Sequence, residues 1–494
     1  MTHSFTNLDK ANIDAQQSSN DLVKTIIPFP EIIHKTDLHV PLNLFVKHVA
    51  KNHHEYPLTK NNKHIQWLLN PLPGINMHPK KVKIASLAQK LYHQQAVRTH
   101  TMWETLRNLF ISILYYHSPF NLPKKKIDFV FLIHARYIED YKTAFPFLNL
   151  IKKWSMRIYV RLIEFSPPII MDYFDTDLGL NGVLITTPIL PDTLMRERKT
   201  TQNEIRRVKR FLLKYCAPNP RKIVLGLGGW WPMVSRKGEL FNDIFKQNDG
   251  FRVTTGHTAT VYSLVSTTMQ LINKSKIELS KVNVAILGCG NIGSHCAEFL
   301  LDLGVSVTLI DINQKKIRHL KRDLAHKYSS KHIHTALFTP KRIKQILSAC
   351  HLGICATSNV GSIITMQQIP KHFIFIDDSR PEAIPRFSLK DKRYTLEGGL
   401  LSVHGLHSRI DYGFGNDHNT LGCLSESYLL ACDRRDRNMV SETVGNIKKD
   451  NYHNLAKFCE LQGITPGCYK MGNLEVEEEI LLHALQKRHK KIEE

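Results

Sequence analysis

The sequence has no CxxC pair and no cysteine–histidine spacing of the kind that holds zinc, although it carries nine cysteines, at positions 216, 289, 296, 350, 355, 423, 432, 459 and 468. An odd, irregularly spaced set excludes a disulfide framework and fits free thiols in a reducing compartment. Long apolar runs are also missing. The longest near the front, Leu109 to Tyr116, is far short of the roughly 20 residues that a membrane-spanning helix needs. Met1 to Asn20 is polar, with no basic end followed by an apolar stretch, so no secretory leader is expected and a cytoplasmic location is.

Acidic residues are the remaining shortage. Against 44 Asp and Glu stand 67 Lys and Arg, a net charge of +23. The excess gathers in clusters: Lys80, Lys81 and Lys83; Lys124 to Lys126; Arg196, Arg198 and Lys199; Arg206 to Arg210; Lys487 to Lys491. Such a field draws anionic partners, whether nucleic acid, an anionic membrane face or an acidic carrier protein, and solvated lysine-rich faces would give the same count. There is no C2H2 spacing and no aromatic RNP-like string, so no nucleic-acid partner is expected. Trp103 to Tyr116 has an apolar face with basic flanks, which suits either a helix packed on a domain or one lying on a membrane surface.

The fold class expected is α/β: a Rossmann dinucleotide-binding domain plus an α/β substrate domain, with an N-terminal accessory region. Residues 1–127 are polar, rich in His, Lys and Asn, and read as that accessory region, partly disordered. Residues 128–256 alternate strand-like runs (DFVFLIHA, PPIIMDYF, GVLITTP) with a helical one from Thr201 to Tyr215, which predicts a mainly parallel sheet. In 257–279, Val261, Leu264, Val265, Leu271 and Ile272 share one face of a connecting helix. The Rossmann domain is expected at 280–395, a segment holding a candidate nucleophile at 396–440, and a helical tail at 441–494.

The dinucleotide signal is compact. Val282 to Leu287 reads as a strand, Gly288-Cys289-Gly290-Asn291-Ile292-Gly293 is GxGxxG, Ser294 to Leu303 is helical, Val305 to Ile310 is a second strand, and Asp311 follows it. In such a unit the first glycine makes the tight turn, the second lets backbone approach a pyrophosphate and the third packs helix on strand. The phosphates sit at the helix N-terminus. Asp311 can accept from a ribose 2′-OH and would repel a 2′-phosphate, so NAD(P)H is the expected cofactor with NADH favoured. Leu352 to Ala356 and His372 to Ile376 read as the fourth and fifth strands. Thr357-Ser358-Asn359 and Asp377 to Arg380 should then line the nicotinamide side, unless they are ordinary turn residues.

A hydride-transfer domain needs a reacting partner. In GNDHNTLGCLSESYLLACDRR, Asn419 or Thr420 would cap a helix with Cys423 in its first turn and Glu426 on the same face. The positive helix end would lower the thiol from its usual pKa of about 8.5, and the thiolate could attack a thioester carbonyl. A cysteine so placed also serves commonly as a small apolar filler. His257 and His404 are the histidines to test as acid or base.

Four strings together resemble the aldehyde-forming long-chain fatty acyl-(acyl carrier protein) reductases of cyanobacteria: GLGGWWPMV at Gly226 to Val234, TTGHTATVY at Thr254 to Tyr262, LEGGLL at Leu396 to Leu401 and GCLSESYLL at Gly422 to Leu430. The last is similar to that family's CFAEAMLL segment. The likeness runs from about Asp128 to Arg437, three fifths of the chain. It implies that Cys423 is acylated, that Glu426 matches the family's acidic residue, and that NAD(P)H reduces a fatty acyl thioester, carried on acyl carrier protein or coenzyme A, to an aldehyde. The family's glycine loop reads GATGDIGS where this chain has GCGNIGS, and its histidine in TTGxTHT is Ala259 here, with His257 two positions earlier. His404 is displaced by one from the histidine of NGGVVEH. Alternative readings are a dinucleotide-binding sensor without catalysis, and a different Rossmann dehydrogenase that needs no thiol.

Overall fold

A computed structural model describes residues 104–134, 166–190, 194, 198–245, 249–358, 362–379, 382–385, 389–408, 418–436, 438–472 and 474–494. They all fall within one compact unit, Leu68–Glu494. The expected accessory region up to residue 103, the Lys80 cluster, Arg196, Asn359 and Arg380 lie outside the described residues.

In chain order come helix α1 (104–117), strands β1 (Phe129–His134), β2 (Ile169–Thr176) and β3 (Gly182–Thr187), helix α2 (Arg198–Tyr215), and strands β4 (Ile223–Leu227) and β5 (Phe251–Thr254). Helix α3 (His257–Ser275) leads into β6 (Asn283–Leu287), α4 (Asn291–Asp302), β7 (Ser306–Asp311), α5 (Gln314–Ala325), β8 (Ile333–Leu337), β9 (Leu352–Cys355), β10 (Ile374–Asp377) and β11 (Tyr394–Glu397). The chain closes with β12 (Leu400–Ser402), β13 (Leu406–Ser408), β14 (Asn419–Leu421), α6 (Gly422–Asp436), α7 (Lys449–Leu461), β15 (Thr465–Pro466) and α8 (Glu478–Glu493).

The first sheet has the order β13-β2-β3-β1-β4-β5. Strands β3, β1, β4 and β5 are parallel, as the alternation of strand and helix predicts. The edge departs from that. β2 returns on β3 through a short turn at Asp177–Asn181, and antiparallel neighbours need no longer connection. β13, from far along the chain, adds antiparallel to β2.

The second sheet is wholly parallel, in the order β11-β10-β9-β6-β7-β8. Counted from β6, that is the doubly wound order 3-2-1-4-5-6 read from β8 across to β11, whose ligand crevice lies beyond the carboxyl ends of the strands. The connecting helix α3 buries Val261, Leu264, Val265, Leu271 and Ile272, the face that the sequence spacing marks.

Three features refine the sequence reading, and one of them overturns it. The segment 441–494, expected as a helical tail, holds α7 and α8 and packs into the fold: Tyr452, Leu481, Ala484 and Leu485 share one apolar core with β6, β7 and α4. Asn419 and Thr420 do not cap α6, because they lie in β14, paired antiparallel with β12. Asn419 instead donates from Nδ2 to Cys468 Sγ at 2.8 Å. Helix α1 packs on the domain through Tyr115, with Ile111 and Tyr116 beside it, and it also turns polar residues inward. Thr105, Asn108 and Ser112 are buried, Ser112 Oγ accepts from Ile170 N at 2.9 Å, and Asn108 Nδ2 donates to Met171 O, which satisfies the backbone at a bulge in β2. Phe110, Ile113 and Leu114 face solvent. Among the described residues no helix is long and apolar enough to cross a membrane. All nine cysteines are free.

Candidate functional site

The glycine loop has the form the motif requires. Gly288 has φ +95, and a Cβ there would stand 2.6 Å from Ala356 O at the end of β9. A Cβ on Gly293 would lie 1.9 Å from Gly288 O, so only glycine lets α4 pack this tightly on β6. Gly290 is open: a Cβ there would meet nothing nearer than Lys316 Nζ at 4.0 Å. That open cradle, at the N-cap of α4, fits a pyrophosphate approached by backbone.

Asp311 ends β7 beside this loop. Its Oδ2 accepts from Cys289 N at 2.8 Å and its Oδ1 from Asn313 N at 2.9 Å. The carboxylate therefore braces the loop to the turn that opens α5. Lys316, three residues past the Asn313 cap, comes back to 3.5 Å from Asp311 Oδ2.

Across the crevice Thr357 and Ser358 follow β9 and Ser358 is exposed. Thr357 N donates to Ser379 Oγ at 3.1 Å. Asp377 does not face a ligand as expected. Its oxygens accept from the backbone N–H groups of Ser379, Ala383 and Ile384 at 2.9 to 3.0 Å, so it ties down its own loop. The neighbouring carboxylate, Asp378, is half-buried beside Gly399, where a Cβ would come within 2.6 Å of its Oδ1, and Gly399 O accepts from Gly422 N at the start of α6. Burial raises the thiols of both Cys423 and Cys296, and the charge of Asp378 adds to it.

Helices α3 and α6 meet at their N-terminal ends because two glycines leave the space. Gly256, with φ +71, has its missing Cβ 2.4 Å from Cys423 Cα, and that of Gly422 would be 2.9 Å from Ala259 O. One residue beyond Gly256, His257 Nδ1 accepts from Asn291 Nδ2 of the glycine loop at 2.9 Å. The crossing thus brings Cys423, His257 and Asn291 to one place, at the carboxyl ends of both sheets.

Burial, with lesser help from Asp378 and Glu426, pushes the Cys423 thiol up to about 12, and backbone hydrogen bonds at the helix start pull it down less. The pull of the helix end, the decisive influence on the sequence pattern alone, is outweighed by desolvation. Cys423 is a thiol at neutral pH. Its labelling by iodoacetamide, followed by peptide mass spectrometry, is expected to climb about tenfold per pH unit from pH 7 to 9, because only the growing thiolate fraction reacts. A plateau below pH 8 would contradict this.

Burial also holds His257 down to about 4, with Lys237 and His295 adding repulsion, so it is neutral. With Nδ1 accepting from Asn291, the proton sits on Nε2.

Glu426 is fully buried and raised by burial, although Thr254 Oγ1 and the Ala259 N–H, the latter at 2.9 Å, both donate to it. Rather than facing a substrate as an acid, it lies on the positive end of α3 as a tertiary cap.

His404 is not with this group. β12 and β14 pair with Leu400 opposite Leu421 and Ser402 opposite Asn419. Cys423 follows one end of that pair and His404 the other, where its ring lies 4.4 Å from that of His418. Nearby, His407 Nε2 is 2.8 Å from Asp177 Oδ1.

Sequence reasoning misses His134, which ends β1 at the same sheet edge. Its Nε2 accepts from Trp230 N at 2.7 Å, inside the turn made by Gly228 and Gly229. The turn follows β4 and not β1, so no local pattern marks this histidine. Lys237 is missed as well. It has φ +57, pairs with Asn446 Oδ1, and its carbonyl accepts from Gly445 N, whose own carbonyl faces Asn291 Nδ2 at 3.5 Å.

The family described as alanine dehydrogenase/PNT, C-terminal domain, matches residues 257–365. The second sheet with its glycine loop is a dinucleotide-binding Rossmann fold of dehydrogenase type. No curated protein matches the chain. Among solved structures, L-tryptophan dehydrogenase from Nostoc punctiforme is 13% identical, with 74% of this chain and 89% of that one covered and a TM-score of 0.32. Shikimate 5-dehydrogenase from Thermus thermophilus is 12% identical, covering 73% and 99% at a TM-score of 0.29. One of the dipicolinate synthase chains, from Bacillus halodurans, is 17% identical, covering 38% and 61% at 0.26. The chain spans about three fifths of the length of the dipicolinate synthase chains it matches. At these identities and TM-scores the likeness carries no argument about substrate or activity.

Proposed function

We propose that the chain is a nicotinamide dinucleotide-dependent reductase that converts a long-chain fatty acyl thioester to an aldehyde through an acyl group held on Cys423. One observation carries the reading: a cysteine in the first turn of α6 stands against the start of α3, where His257 bonds Asn291 of the glycine loop. The dinucleotide, when bound in the cradle over Gly290, supplies the hydride.

In this reading Cys423 Sγ forms a bond to the acyl carbon, the bond to the donor sulfur breaks, and the donor leaves as a thiol with the proton of Cys423. Asp378, the carboxylate whose charge acts on the thiol, relays that proton in this reading. The Nε2–H of His257 donates to the carbonyl oxygen as it gains charge. Once the acyl carbon has gained hydride, its bond to Sγ breaks and the aldehyde departs. Cys423 recovers a proton from water. Glu426 is a positioning residue that holds α3 against α6.

The donor is carried on acyl carrier protein or coenzyme A, both anionic, which the basic surface would attract. The outward face of α1, with exposed Phe110, Ile113 and Leu114, and the exposed Phe120 and Lys124 to Lys126 that follow it in the chain, support a peripheral contact with anionic lipid.

A second reading, an amino- or hydroxy-acid dehydrogenase, draws support from the family match over 257–365. A non-catalytic dinucleotide sensor is a third. Mass spectrometry after mixing the full chain with palmitoyl coenzyme A without reductant separates them. An adduct of one acyl group on the peptide holding Cys423, discharged as aldehyde on adding NADH or NADPH, is the expected result. An unmodified Cys423 would remove the reductase reading.

A further inference from the structure

We infer that Lys316, rather than Asp311, decides which dinucleotide the site takes, and that the site binds the 2′-phosphorylated form, NADPH, at least as well as NADH. The inference rests on the cradle over Gly290 being a dinucleotide site. Asp311 stands where a carboxylate ordinarily meets the adenosine ribose and rejects a 2′-phosphate. Here each of its oxygens already accepts a main-chain N–H, from Cys289 and from Asn313, and the residue is only 9% exposed. It is thereby turned toward the protein as a brace, with little surface left to repel a ligand.

Lys316 has the opposite disposition. Its side chain is 46% exposed, its Nζ is 3.5 Å from Asp311 Oδ2, and that nitrogen is the nearest atom to the open side of Gly290. One cation therefore borders both the pyrophosphate cradle and the ribose carboxylate. The placement of α5 points the same way. Its first turn contains no acidic residue and carries Lys315 and Lys316, although the positive end of a helix disfavours cations. A phosphate dianion beside Lys316 relieves that repulsion and pairs with a charge that Asp311 only partly neutralises.

Titration of the full chain with NADPH and with NADH at low ionic strength, read by quenching of protein fluorescence, tests this. The unaltered protein is expected to bind NADPH as tightly as NADH or more so. Lys316→Ala should weaken NADPH about fivefold or more and NADH less than twofold, as expected of a half-exposed ion pair with a doubly charged phosphate. Lys316→Arg should restore NADPH binding, and 2′,5′-ADP should compete better than 5′-AMP only when position 316 is basic. A preference above tenfold for NADH, or an equal loss for both dinucleotides in Lys316→Ala, overturns the inference and leaves the dinucleotide site standing. If neither dinucleotide binds, the reading of the site falls and the inference with it.

Discussion

Serine at position 423 is expected to reduce aldehyde formation from a long-chain acyl thioester by about 10³-fold or more, the scale of losses seen when a covalent nucleophile is removed. The hydroxyl is isosteric enough to keep α6 seated on Gly256, so dinucleotide affinity should stay within about twofold. The two readouts together make the experiment decisive. Turnover lost with binding retained places Cys423 in the chemistry. Turnover retained would make the sulfur a packing atom and favour a dehydrogenase that needs no thiol. Loss of both would show that the substitution had disturbed the helix crossing, and Cys423→Ala would then serve as the smaller probe.

The largest effect on stability is expected from Glu426→Ala. That change leaves the Thr254 hydroxyl and the Ala259 N–H without the carboxylate that receives them, in a place water does not reach, and opens a cavity between α3 and α6. Stranding buried polar groups in this way costs about 3 kcal/mol or more. The urea midpoint of the full chain should fall accordingly, and a shift below about 1 kcal/mol would show that the carboxylate is not the brace described. The penalty also has a pH sign. Burial raises the carboxyl of Glu426 in the folded protein, so its contribution is full below the unfolded value of about 4.3 and declines as pH rises through the folded value. The gap between the two proteins should be wider near pH 5 than at pH 8.

Local motifs were the legible part of the site. The glycines at 288, 290 and 293 and the acidic residue after the next strand carry their meaning in sequence, since strand, turn and helix are contiguous, with Gly293 packed on Gly288 and Gly290 left open. The roles of the two carboxylates after β10 were not legible. Asp377 and Asp378 are adjacent, and which of them is spent on bracing the chain follows from the loop at Ala383 and Ile384, whose backbone claims the first. His404 failed as a candidate for a related reason. It is close to Cys423 along the segment but at the far end of a strand pair, and strand pairing separates residues by about 3.3 Å each where a turn would gather them.

The order of strands and helices, the connecting helix and the dinucleotide loop were determined by the sequence itself, because hydrophobic period, glycine placement and short connections are properties of neighbouring residues. Tertiary structure alone decided the rest. Desolvation, which sums over every element packed around an atom, makes Cys423 a thiol instead of a thiolate. The crossing of α3 and α6 turns Glu426 into a cap. The return of Lys316 to Asp311 sets a cation at the edge of the cradle, and the packing of α8 makes an apparent tail part of the core. Each depends on groups distant in the chain meeting in a medium of low dielectric, and no local pattern records which groups those will be.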